Sequence, residues 1–381
     1  MKTATAFRWI DAQADRFVEF LAKICSFETP ATEKAELDAM ADCIADFAKG
    51  LGLSVRRTPF ETCGDFLTID LNEGAEKDSV FLAHMDTVHE KGRFGYPAVR
   101  IEGERMIGPG TIDCKGGIAV ALLALSALRE SGYQKHARLI LTSDEEVSNV
   151  LGGEREQVFF RESVQGFRYA LNCEVAEERE VVVARKGIMR YKIEVQGKGG
   201  HAGIHYFECK NAVLESAKKI VELESHSAPD MCTYSCNVIQ AGSVSNVIPD
   251  RCSFTVDVRV INRKDMETAD RFVREVGEKS FIGGTSATVT RLGVRPPMEP
   301  SAQTQALFEK LNAISTELGF EELIPVHSGG GSDSAYTQAA GVTSLCGLGP
   351  CGEFCHTDRE YVSIKTIAQR AKLLTALLAK E

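Results

Sequence analysis

Residues 79–92 read SVFLAHMDTVHEKG: an apolar run, Ser79 to Ala83, breaks without a turn signal into His84, Met85 and Asp86. A strand covered on both faces reads as such a near-continuous apolar run, whereas a half-solvated strand alternates. Similar runs occur at 66–71 (FLTIDL), 137–143 (ARLILTS), 168–173 (RYALNC) and 342–348 (VTSLCGL). Helical periodicity lies between and around them, near 8–25 and 34–49, from Gly117 to about Glu130 (stopped at Gly132), over Gln303–Leu318 and from about Ser363. Strands alternating with helices need crossover connections. The expectation is an α/β fold whose mostly parallel sheet is sandwiched by helices.

The texture changes near Lys186. The segment GIMRYKIEVQG alternates as an antiparallel strand does, and a helix from about Lys210 to Glu224 follows. TYSCNVIQAG and RCSFTVDVRVI, a helix over Lys264–Lys279 and SATVTRL complete a β-α-β-β-α-β order, the ferredoxin-like pattern. The predicted organisation is a discontinuous catalytic domain, 1–186 and 297–381, with a ferredoxin-like α+β domain, 187–296, inserted as a dimerisation and lid domain.

The chain has 381 residues, more than one core usually serves, and a net charge of −10 with no basic cluster. A nucleic-acid surface is therefore not expected, and no run approaches the roughly 20 apolar residues of a membrane helix. Twelve scattered cysteines and an N-terminus without an apolar signal core point to free thiols in a reducing cytoplasm. Cys346, Cys351, Cys355 and His356 could form a structural zinc knot, although their spacings are not those of CxxC pairs.

In open α/β sheets, sites form beyond the carboxyl ends of the strands. There stand His84 and Asp86 after the first run, Asp144-Glu145-Glu146 after ARLILTS, Glu174 after RYALNC, and His356 in the loop after VTSLCGL. Asp113 adds a carboxylate from the glycine-rich loop GPGTIDCKGG. Crowded carboxylates repel unless a multivalent cation offsets them, and a mixed His and carboxylate set suits zinc, with manganese or cobalt as substitutes. The charge of two divalent ions is balanced by Asp113, Glu146, Glu174 and one hydroxide. Taken singly the features have blander readings: a core histidine, a solvated acidic turn, a phosphate loop (here without G-K-[ST]). Their joint placement at strand ends favours a metal centre.

The motifs HMDTV, GPGTIDCKGG, TSDEE, GKGGHAG, SNVIPD, DVR, GGGSDSAY and HTDREYV, in that order from about residue 80 to the C-terminus, resemble the co-catalytic dizinc metallopeptidase and deacylase family. Its members include glutamate carboxypeptidase, aminoacylase, acetylornithine deacetylase and succinyl-diaminopimelate desuccinylase. The glutamate carboxypeptidase branch is the most similar. The resemblance implies that His84, Asp113 and Glu174 hold one zinc and that Asp113, Glu146 and His356 hold the other. It makes Glu145 the general base, Asp86 the residue orienting His84, and His201 an oxyanion donor acting from the partner of a homodimer formed through the inserted domain. Asn246, Arg259 and Arg295 would bind substrate, a small peptide or N-acyl amino acid.

The implied reaction is amide hydrolysis releasing a C-terminal amino acid, with an N-acyl-amino-acid deacylase or dipeptidase using the same metal centre as the alternative. A non-catalytic binder on a degenerate hydrolase is the reading from another class. His89, Glu90, His205 and His327 receive no role. Cys114 is a thiol open to oxidation but not a ligand.

Overall fold

The computed structural model describes residues 2–175, 177–229 and 231–379. The chain divides into two compact units: Met1–Ala184 with Pro300–Ser328 and Ser332–Glu381, and Arg185–Glu299 with Gly329–Gly331.

The first unit is built on a six-stranded sheet in the order Ser54–Thr58, Phe66–Leu71, His136–Thr142, Lys77–His84, Tyr169–Asn172, Thr343–Leu345. The last four strands are parallel. The first two join antiparallel, a distinction that the apolar run FLTIDL does not carry. The connection 59–65 explains it, since a parallel pair needs a crossover of about a dozen residues or more.

Side chains alternate between two cores, which is why the central strands are apolar throughout. Phe81, Ala83, Leu139, Leu141 and Leu171 pack on one face with the helices Lys2–Cys25, Lys34–Gly50, Lys115–Glu130, Ala302–Glu317 and Ile364–Ala379. Val80, Leu82, Ile140 and Ala170 pack on the other with Phe160 and Val164 of the helix Gly153–Val164 and Tyr336 of the helix Ser334–Ala339. The helix Lys115–Glu130 is buried from Lys115 through Leu128, so it shows no polar stripe. Gly153–Val164 escapes sequence reading because its charges (GEREQVFFRESV) conceal an apolar pair at i,i+4, Phe160 and Val164.

The second unit has a four-stranded antiparallel sheet ordered Cys232–Ala241, Arg251–Val260, Gly187–Gln196, Ser286–Arg295. With the helices Ala212–Glu224 and Arg263–Glu278 this is the β-α-β-β-α-β arrangement. Both helices start on an asparagine cap. Asn211 Oδ1 accepts from the N–H groups of Val213 and Leu214, and Asn262 Oδ1 from that of Asp265. Tyr191, Ile193, Phe254, Val256 and Val258 form its core with Ala269 and Val273. Among the described residues no helix is long and apolar enough to cross a membrane.

Candidate metal centre

The parallel strands His136–Thr142, Lys77–His84 and Tyr169–Asn172 end along one edge of the sheet, and the polar residues gather there. His84 closes its strand, Glu145 and Glu146 follow His136–Thr142, and Glu174 follows Tyr169–Asn172. Asp113 lies between two imidazoles. Its Oδ1 is 3.1 Å from His84 Nε2, and its Oδ2 is 3.2 Å from His356 Nε2. Glu174 Oε1 is 3.6 Å from His84 Nε2, and Glu146 Oε2 is 3.4 Å from His356 Nε2. One aspartate thus presents an oxygen to each histidine, with a second carboxylate beside each. The ligand atoms of His84, Asp113 and Glu146 lie within 4.8 Å of one another. The two histidines differ in setting: the side chain of His84 is 1% exposed and that of His356 is 54% exposed. His356 also has a left-handed backbone, φ 64°.

The charges are strongly coupled. Burial and the neighbouring Asp113 push the Glu146 carboxyl up to about 8, against the pull of His356 and His84. Burial acts in the same direction on Asp113, but its hydrogen bonds to His356 and His84 hold it well below the usual carboxylate range. Hydrogen bonds to Asp113 and Glu146 push the His356 imidazole up to about 10. Burial works against protonation of His84, yet its hydrogen bonds to Asp113 and Asp86 and the charge of Glu174 raise it well above its ordinary value. A carboxyl raised by a neighbouring carboxylate, between imidazoles raised by the same carboxylates, is the charge pattern that a bound cation would relieve. The donors are nitrogen and oxygen atoms, and they fit zinc or a similar divalent ion.

The surrounding hydrogen bonds fix these groups. The His84 Nδ1–H donates to the Asp86 carbonyl (3.0 Å), which leaves Nε2 facing Asp113 and Glu174. The Asp86 carboxylate lies 3.4 Å from the same Nδ1 and accepts the backbone N–H groups of Glu145 (3.2 Å) and Glu146 (2.9 Å). It therefore orients the histidine and pins the turn bearing the two glutamates. His89, given no role by the sequence, is buried, and its Nε2 donates to Glu360 Oε2 at 2.7 Å. Glu360 Oε1 accepts from the N–H groups of Ile112 (3.0 Å) and Asp113 (3.2 Å), so this pair holds the loop that carries Asp113. The glutamate of HTDREYV was the only sequence signal for it.

The cysteine knot does not assemble. Among the described residues, the groups placed to hold a metal are His84 with Asp113 and Glu146, and His84 with Cys114 and Glu174. Neither contains Cys346, Cys351 or Cys355. Cys114 is fully buried, its thiol donates to the Cys173 carbonyl at 3.2 Å, and burial with Glu174 keeps it protonated.

The remaining predicted residues lie in the second unit. His201 is exposed on the short strand Gly200–His201, paired with Val247–Ile248. Its Nδ1 accepts from the Gly203 N–H (3.2 Å), so the neutral ring carries its proton on Nε2. Asn246 is beside it in this ribbon, its carbonyl accepting from the Ala202 N–H at 2.9 Å. Arg259 commits Nε and Nη2 to Asp257 (2.6 and 3.2 Å), and Nη1 is 3.4 Å from the Gly329 carbonyl. Arg295 is 2% exposed at the end of its strand and packs on Gly331, where an added Cβ would meet its Cδ at 3.0 Å. Arg185, not anticipated from the sequence, brings Nη1 to the carbonyls of Gly330 (3.4 Å) and Gly331 (3.2 Å). Three arginines therefore surround Gly329–Gly331.

Comparison with known proteins places the chain in a family. Carboxypeptidase G2 of Pseudomonas sp. (strain RS-16) is 26% identical over 369 residues, 95% of this chain and 88% of that protein. The LysW-lysine/LysW-ornithine hydrolase of Saccharolobus solfataricus is 24% identical over 355 residues, 92% of this chain and 91% of that protein. Among solved structures, aminopeptidase PepT from Bacillus cereus ATCC 10987 superposes with a TM-score of 0.78 at 21% identity, covering 96% of this chain and 98% of that one. The description of peptidase family M20/M25/M40 matches residues 80–380. The chain belongs to that family, and it is a metallopeptidase or amidohydrolase.

Proposed function

We propose that the protein is a dizinc exopeptidase that hydrolyses an amide bond to release a C-terminal amino acid, glutamate foremost, from a peptide or acyl conjugate. The observation that carries this reading is Asp113 set between two imidazoles, one oxygen to each, with the Glu145 backbone tied to Asp86 close by. His84, Asp113 and Glu174 would hold one zinc, and Asp113, Glu146 and His356 the other. When bound, such a pair acidifies an attacking water and polarises the scissile carbonyl. Manganese or cobalt would serve as substitutes.

Glu145 accepts the proton of the attacking water and delivers it to the leaving nitrogen, so it must lie within hydrogen-bond reach of both. Its neighbour Glu146 differs by one position and serves as ligand instead. His201, with its proton on Nε2, donates to the oxygen that gains charge, acting on the substrate of a partner protomer. A homodimer through the inserted unit is supported by its edge strand Cys232–Ala241, where Val238 and Ile239 are about half exposed. Asn246 would help hold the substrate.

A substrate with a free carboxylate is favoured at Arg259, whose guanidinium already grips the Asp257 carboxylate through Nε and Nη2 and would grip a substrate carboxylate in the same two-bonded way on exchange. The similarity to carboxypeptidase G2 points the same way. A panel of amides offered to the zinc-loaded protein tests this. Peptidyl and acyl conjugates of C-terminal glutamate are expected to be cleaved first. Preference for short N-acetyl amino acids or free dipeptides would move the protein to the deacylase or dipeptidase reading. No hydrolysis at full zinc occupancy would overturn the proposal.

A further inference from the structure

Arg370, on the C-terminal helix Ile364–Ala379, is 5% exposed. Its Nη2 donates to the carbonyls of Glu177 (3.4 Å) and Glu178 (3.0 Å) and to Cys351 Sγ (3.5 Å), all uncharged acceptors. Among the described residues no carboxylate pairs with it. A guanidinium keeps its charge at any physiological pH, and a buried charge left without a counter-ion is costly.

Arg370 borders a cavity of about 190 Å³ in the first unit, outside the metal-ligand set. Cys351, Phe320 and Leu323 line it with the arginine. Two exposed carboxylates, Glu178 and Glu321, stand at its border, the latter 3.7 Å from Arg179 Nε. The cavity thus combines a buried cation, apolar wall and an acidic rim. A free α-amino acid has the matching pattern: a carboxylate for Arg370, an ammonium for the rim, and a side chain for the wall.

We propose that this cavity is a second binding site, distinct from the metal centre, for a free amino acid. Its position links it to catalysis. Arg370 holds the main chain at Glu177 and Glu178, just after Glu174, and holds Cys351, just ahead of His356. A carboxylate on Arg370 competes for the donors that tie both ligand-bearing loops, so occupancy would be transmitted to the metal centre. The site is argued from Arg370 and its surroundings and does not rest on the reaction proposed above.

Calorimetric titration of the zinc-loaded full chain with L-glutamate tests it, because it reads binding without turnover. We expect a saturable component that weakens at least tenfold in Arg370→Met. Gln369 lies exposed at the cavity's border, so Gln369→Trp, which obstructs the cavity and leaves Arg370 in place, should remove the same component without altering basal turnover. Glutarate, which lacks the ammonium, should bind this component at least tenfold more weakly. Isotherms of Arg370→Met and Gln369→Trp that superimpose on the wild type would overturn the site. Equal binding of glutarate would overturn its assignment to an amino acid.

Discussion

Asp86 acts on three groups at once: its carbonyl accepts from His84, and its carboxylate holds the N–H groups of Glu145 and Glu146. His84, Glu145 and Glu146 are thereby registered against one residue. The His89–Glu360 pair does the same for Asp113 from the other side. Groups that orient metal ligands are typically worth about 10–100-fold in metal affinity or activity. We therefore expect Glu360→Gln and His89→Leu each to weaken zinc binding by about tenfold or more in competition with a chromophoric chelator. Unchanged affinity in both would reduce the pair to packing. His84 and Asp86 were legible in the sequence because the apolar run breaks directly into them, although the strand ends at His84 and Asp86 meets it from just beyond the strand rather than from the same face. His89 was not, because its partner lies 271 residues away and only the folded chain brings them together.

At the level of elements, the apolar runs identified the buried strands and the alternation after Lys186 identified the inserted sheet. The runs were silent on direction, so Phe66–Leu71 could not be separated from the parallel strands. The inserted unit also contains a buried ion pair that sequence does not announce. Lys219 Nζ is 2.9 Å from Glu215 Oε1, and both side chains are 1% exposed. Glu215 also accepts the N–H groups of Phe281 and Ile282, which joins the helix Ala212–Glu224 to the segment after Arg263–Glu278. Burial pushes the Glu215 carboxyl up, but these hydrogen bonds and Lys219 win and hold it below its ordinary 4.5.

A carboxylate depressed in the folded state binds its proton less readily than in the unfolded chain. Its stabilisation is present above about pH 4.5 and fades as pH falls through the folded value. Glu215→Gln should cost about 3 kcal/mol at pH 7, since it leaves Lys219 buried without its partner. Urea denaturation at a series of pH values should show the gap to wild type narrowing below pH 4.5. A gap that stays constant down to pH 3 would contradict this account.

On the scale of the molecule, the family places the chain among metallopeptidases, and the first unit concentrates its carboxylates and histidines where a cation is needed. Metal binding should then contribute to folding as well as to chemistry, because a cation offsets the repulsion between Asp113 and Glu146 that otherwise raises the Glu146 carboxyl. Dialysis against a chelator is expected to lower the melting temperature and abolish hydrolysis together, and zinc to restore both. Restoration of activity without any shift in melting would separate the metal from the fold.

The central claim is that Glu145 moves the proton while its neighbour Glu146 binds metal. The direct measurement is hydrolysis of a peptidyl-glutamate substrate by Glu145→Ala and wild type loaded to the same zinc content. The account predicts a loss of about 10²–10⁴ in kcat with both zinc equivalents retained. Wild-type turnover in that variant, or loss of its zinc in step with its activity, would contradict it.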